Sequence, residues 1–223
     1  MMWRSARLIA GKDLRLEWRS RVGMNQVLPF AAVVLVMFAF ALNPDSDLLQ
    51  KATPGLFWVS VLFLALTTVG RTFSIESSEG ISDSIRLSGL EPSGFFLGKV
   101  ISIGVQLLIL EVLLGIGVTV LYRASPAEWP LLLSTVGVAT VGIAAAGTLY
   151  GMVAVSLRVR ETILPLLLLP VLTPVLIGST RAFEAAINET PADGWPWIGL
   201  MAVFSFMYVA AGILGFGALM EDS

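Results

Sequence analysis

"FFLGKVISIGVQLLILEVLLGIGVTVL", residues 95–121, contains two charged side chains, Lys99 near its start and Glu111 in its middle. A helix crosses the roughly 30 Å hydrocarbon core of a bilayer with about 20 mainly apolar residues, and this stretch is longer than that. It shows no alternation of period two, so it reads as a transmembrane α-helix rather than a barrel strand. Five other stretches have the same character: about 24–42, 54–71, 130–157, 163–180 and 197–217. The chain is therefore expected to be an all-α integral membrane protein with six transmembrane helices. Its 56% hydrophobic and 13% charged composition agrees, since soluble domains carry about 25% charged residues.

Six crossings put both termini on one side, and basic residues choose the side. Arg4, Arg7, Lys12, Arg15, Arg19, Arg21, Arg71, Arg86, Lys99, Arg158 and Arg160 fall together, against Lys51, Arg123 and Arg181 opposite. Both termini are expected in the cytoplasm, with the chain in the cell's inner membrane. Ala39-Phe40-Ala41 resembles a signal-peptidase site, but the basic segment before the first span is longer than a normal signal peptide carries, so that span is retained.

The chain has no cysteine and no histidine. Disulfides, thiolate metal sites and cysteine nucleophiles are excluded, and the commonest metal and haem ligand is missing. No metal site, catalytic residue or nucleic-acid partner is expected. "GFFLGKV" has three residues between Gly94 and Gly98 and Val100 after Lys99, whereas a Walker A loop needs four and a Ser or Thr. Lys99 reads instead as an anchor snorkelling to headgroups at the cytoplasmic end of the third span.

Residues 1–23 form an expected amphipathic interfacial helix ahead of a permease domain over 24–223. Arg4, Lys12, Arg15 and Arg19 share one arc, Trp3, Ala6, Ala10, Leu14 and Trp18 another, and Asp13 and Glu17 form an i, i+4 pair elsewhere. The cytoplasmic loop 72–94, "GISDSIRL" within it, interleaves Ile81, Ile85 and Leu87 with Asp83, Ser84 and Arg86. Ser77 and Ser78 offer a helix start, Gly89 and Glu91-Pro92 a stop, and Ser93 a cap for the next helix. Such a helix can seat in a partner's groove or can be a solvated connector; the residues alone leave both open.

Six spans, an amphipathic first helix and a short helix between spans two and three resemble an ABC-2-type permease. "PGLFWV" (Pro54–Val59), "GRTFSIESSEGISDSIRLSGLEPSGFFLGKV" (Gly70–Val100) and "LLPVLTPVLI" (Leu168–Ile177) sharpen this to a resemblance to the CcmB family of cytochrome c maturation permeases, the haem exporter B proteins. The resemblance implies a coupling helix in which Glu79, Gly80, Ile85, Arg86 and Leu87 touch an ABC ATPase subunit. It also implies a tryptophan-rich haem-presenting membrane subunit, a small accessory subunit, a haem chaperone and a second copy of the chain as partners. ATP would be bound by the ATPase and haem handled as cargo, by export or by release of the loaded chaperone. A permease for a lipid, polysaccharide or drug is the alternative.

Glu111 lies deep in its span, on a face shared by Gly104, Leu108 and Gly115, and is expected to meet another helix. A bond across a helix contact and a role in a substrate route or subunit contact both fit. Gly147 and Gly151 form a GxxxG pair, expected to serve contact within the chain. Pro165, Pro170 and Pro174 each remove a backbone donor from the fifth span, which is expected to bend or break. The outer segment "RAFEAAINETPADGWPW" is expected to hold a short interfacial helix before an aromatic belt, and its Asn188-Glu189-Thr190 triplet matches a glycosylation acceptor by chance.

Overall fold

The computed structural model describes residues 2–20, 25, 27–42, 46–78, 91–124, 126–155 and 160–221. Seven helices account for nearly all of these residues: α1 (Met2–Ser20), α2 (Leu28–Leu42), α3 (Asp47–Ser78), α4 (Pro92–Tyr122), α5 (Trp129–Val155), α6 (Arg160–Ile187) and α7 (Pro191–Glu221). No strand occurs among the described residues. Lipid offers no partner to a backbone amide, so chains that cross it as helices satisfy their own polar groups internally.

Five of the helices, α3 to α7, are long and apolar enough to cross a bilayer. The remaining expected crossing, α2, has 15 described helical residues, about 22 Å at 1.5 Å per residue. Its side is held by α4, where the Tyr122 hydroxyl donates to the Leu35 carbonyl at 2.9 Å. The second expected span, 54–71, is much longer: α3 begins at Asp47, seven residues before Pro54, and continues to Ser78. Asp47–Thr53, polar and outside the expected span, are therefore helix, because Ser46 caps them, its hydroxyl accepting from the Leu49 amide at 3.2 Å.

Helix α5 stands at the centre, packed against α3, α4, α6 and α7. Its inner surface is nearly all small: Ala139, Ala144, Ala145 and Ala146 are fully buried. Helices in lipid associate through close packing and interhelical hydrogen bonds rather than through exclusion of water, so small residues decide how near they come. A Cβ on Gly147 would lie 2.6 Å from Val69 Cγ2, and one on Gly151 would meet the Phe73 ring. The GxxxG pair thus serves contact within the chain, against α3. On the opposite side Gly142 admits Ser205, whose hydroxyl donates to the Val138 carbonyl at 3.0 Å.

Two expectations are revised. Helix α6 is not broken: it runs from Arg160 to Ile187 through Pro165, Pro170 and Pro174. Pro170 and Pro174 lie on its exposed side, away from the buried line of Leu168, Leu172 and Val175. Residues 181–196 hold no separate interfacial helix: 181–187 finish α6, 188–190 turn, and α7 starts at Pro191. The turn is tight because Glu189 takes a left-handed conformation, φ 58°, and the Thr190 amide reaches back to the Ala185 carbonyl at 3.1 Å. Phe183 and Ala186 are buried in the helix contact, which is what keeps this polar segment in α6.

Replacing Gly151 by Ala is expected to destabilise the bundle by about 1–3 kcal/mol, because the Phe73 ring must shift. Gly137→Ala, at a position with open space around its Cβ, is expected to change nothing or to stabilise slightly. Unfolding of the purified chain in a mixed-micelle denaturant series, followed by tryptophan fluorescence, compares the two.

Candidate functional site

The charges of α1 are sorted by face. Arg4, Arg7, Arg15 and Arg19 are exposed, as are Trp3 and Trp18, while Ser5, Ala6, Ile9, Ala10 and Asp13 are buried against α4. The sequence gives α4 a notch for this approach. A Cβ on Gly94 would stand 2.7 Å from both the Met2 carbonyl oxygen and Ser5 Cβ, and one on Gly98 2.7 Å from Ile9 Cβ. "GFFLGK" is therefore a seat for a helix, its two glycines one turn apart on the face that α1 covers.

Past the notch the two acids of α1 each meet a basic side chain from a span. Lys99 Nζ lies 2.7 Å from Asp13 Oδ2, with the two side chains 1% and 8% exposed. The Phe73 and Phe95 rings flank the ammonium at 5.8 and 5.4 Å. Ser102 donates weakly to the same carboxylate at 3.4 Å. This overturns the expectation of a snorkelling lysine: Lys99 points into the protein, because a carboxylate and two aromatic faces are there to receive it. One turn along α1, Arg71 of α3 holds Glu17 through Nη1 at 3.0 Å and donates through Nη2 to Ser20 Oγ at 2.7 Å. Asp13 and Glu17 thus staple α1 to α4 and α3 respectively.

Beside these pairs, between α1, α3 and α4, opens a cavity of about 590 Å³. Lys12, Asp13, Glu17, Arg71 and Lys99 line one part, and apolar side chains of α1 and α4, Gln106 and Thr67, Thr68 and Thr72 of α3 most of the rest.

Glu111 sits higher in α4, 2% exposed, where Thr140 of α5 donates to its Oε2 at 2.7 Å. Its Oε1 has no hydrogen-bond partner among the described residues, nor does Trp58 Nε1. Of the face expected to meet a helix, Gly104 lies against Ala144 and Thr140, whereas Leu108 is exposed and Gly115 faces open space. Glu79, Gly80, Ile85, Arg86 and Leu87 lie outside the described residues. Ser93 does not cap α4: the N-cap is Glu91, Pro92 takes the first helical position, and the Ser93 hydroxyl donates to Glu91 Oε1 at 3.1 Å. No cluster of acidic side chains able to hold a metal occurs among the described residues.

Sequence reasoning missed the two ion pairs. A signal existed in the lone acidic i, i+4 pair of a basic helix and in two glycines four apart just before a lysine, but nothing local joins Asp13 to Lys99 across 86 positions. Removing one member of the buried pair, by Asp13→Asn or Lys99→Met, is expected to cost about 3–5 kcal/mol by leaving a charge unpartnered. The double variant Asp13→Asn with Lys99→Met is expected to recover most of that loss. Thermal unfolding of the four proteins in detergent checks the cycle; losses that simply add would show that the pair does not anchor α1.

Comparison with known proteins matches the family described as CcmB protein over residues 4–221. Heme exporter protein B of Pseudomonas aeruginosa is 29% identical over 192 residues, covering 84% of each chain. Heme exporter protein B of Escherichia coli K12 is 29% identical over 209 residues, covering 87% of each chain. That of Haemophilus influenzae is 26% identical over 211 residues, 91% of this chain and 90% of its own. With the family matched from the first turn of α1 to the end of α7, this chain belongs to the CcmB family of multi-pass membrane proteins.

Proposed function

We propose that the chain is the non-enzymatic membrane permease subunit of a haem export system serving c-type cytochrome assembly. The observation that carries this reading is the family match over residues 4–221, with relatives named Heme exporter protein B at 26–29% identity. In this reading α2 is the first of six crossings, the membrane is the inner one, and both termini are cytoplasmic, an orientation that the distribution of basic residues supports. Helix α1 lies along the cytoplasmic boundary with Arg4, Arg7, Arg15 and Arg19 toward lipid phosphates, which their exposure supports.

ATP is hydrolysed by a partner ABC ATPase that grips residues 79–87. Glu79, Gly80, Ile85, Arg86 and Leu87 form the contact. The segment 79–90 joins the end of α3 to the start of α4, the two spans that α1 clamps through Arg71 and Lys99. A rigid-body push on that segment therefore moves α1, α3 and α4 together, rather than bending one helix. Haem is cargo. With no His and no Cys in 223 residues, the chain leaves axial ligation of the iron to its membrane partner and chaperone, and uses the ATPase stroke to release the loaded chaperone. Glu111 belongs to a substrate route or a subunit contact in this reading, which its carboxyl, buried in a span with Oε1 unbonded among the described residues, supports.

A mild-detergent pull-down of the tagged chain, with mass spectrometry of what remains bound, tests this. An ABC ATPase and a tryptophan-rich haem-handling membrane protein are expected in the eluate. The Ile85→Asp, Arg86→Glu variant is expected to lose at least nine-tenths of the ATPase while keeping the membrane partner. Recovery of an ATPase without a haem-handling partner would point to an exporter of another cargo. Recovery of no ATPase would overturn the permease reading.

A further inference from the structure

The cavity between α1, α3 and α4 is graded along its length. At one end stand Asp13, Glu17, Arg71 and Lys99, held in the two pairs described above, with Lys12 3.9 Å from Asp13. At the other, the wall is made by Val105, Ile109 and Leu110 of α4 and by Thr67 and Thr68 of α3, none of them charged; the Thr67 hydroxyl donates to the Phe63 carbonyl of its own helix at 2.8 Å. Along α4 the distance from Lys99 to Leu110 is eleven residues, about 16 Å at 1.5 Å per residue. That is close to half of the roughly 30 Å hydrocarbon core, the depth of one leaflet. The cavity volume of about 590 Å³ is of the size that holds a small molecule.

We propose that this cavity is a binding site for one phospholipid of the leaflet that α1 faces, headgroup at the ion pairs and one acyl chain laid along α4. The charge pattern selects this class. The guanidinium of Arg71 uses Nη1 for Glu17 and Nη2 for Ser20, and a guanidinium carries five donors, so N–H groups remain to turn to a phosphate. Lys12, 42% exposed at the rim, adds a second cation. Glu17 and Asp13 accept from a headgroup amine. Gln106, at intermediate depth, supplies an amide for an ester carbonyl. Haem fits this lining poorly, because none of the described lining residues is His, Cys, Met or Tyr, so its iron would find no usual axial ligand. A lipid wedged here keeps α1 and α3 apart above the clamp formed by the ion pairs, so the site sets the spacing of the helices that carry residues 79–90.

The test uses the full chain in nanodiscs of phosphatidylethanolamine and phosphatidylglycerol, with a trace of phosphatidylethanolamine bearing a diazirine on one acyl chain. After irradiation, adducts are expected on Thr68 and Leu110, which are 9% and 4% exposed and out of reach of lipid running past the outer surface. Val105→Trp fills the upper cavity and is expected to cut those adducts at least fivefold, while labelling of the exposed Val203 and Phe206 of α7 stays unchanged and reports intact folding. Val105→Phe, a milder filler, is expected to give an intermediate loss. Adducts that merely follow the exposed apolar surface, or that both fillers leave at wild-type yield, would overturn the site. So would displacement of the Thr68 and Leu110 adducts by equimolar haemin, which would assign the cavity to cargo.

Discussion

Lys99 fixes how α1, α3 and α4 come together. Its ammonium is removed from water at 1% exposure, a placement that costs several kcal/mol unless a counter-charge is supplied. The counter-charge is Asp13, which lies outside the spans, so α1 is obliged to lie on α4. Once it does, Gly94 and Gly98 set how close it comes, and Glu17 arrives one turn later opposite Arg71. Three helices are thereby tied at one corner by two acids, two bases and two glycines. The same corner receives the chain on either side of residues 79–90, so a load applied there is shared among all three.

The rest of the bundle is held differently. Around α5 there is no ion pair among the described contacts; small side chains let α3, α4, α6 and α7 approach, and hydroxyls stitch them where they meet. Ser205 to Val138 and Thr140 to Glu111 are the bonds that cross between helices there. Glu111 differs from Lys99 in having only half its carboxylate satisfied. Lys99 is thus engaged by its own chain, while the buried Glu111 keeps one oxygen that no described residue bonds.

Five of the six expected spans were legible as long apolar helices because they rest on composition over long windows. Residues 95–121 and 130–157 became α4, Pro92–Tyr122, and α5, Trp129–Val155, with errors of a few residues at the ends. Boundaries failed where polar residues stay helical for tertiary reasons, as at Asp47–Thr53, which a serine cap starts, and at Arg181–Ile187, which Phe183 and Ala186 pin into the core. Of the site, the sorting of charges on α1 was legible as a periodic pattern, and the GxxxG of α5 as a packing device. Lys99 was misread because a lysine at a span's end ordinarily reaches for headgroups, and only the three-dimensional arrival of Asp13, Phe73 and Phe95 reverses that preference. Residues 79–87, expected from the resemblance to touch an ATPase, lie outside the described residues.

The three-residue turn at Asn188–Thr190 makes α6 and α7 one mechanical unit. So little chain joins them, and Gly178 brings them so close at Met201, that neither has slack to slide past the other. A displacement of one helix is therefore carried to its neighbour and not absorbed in the loop.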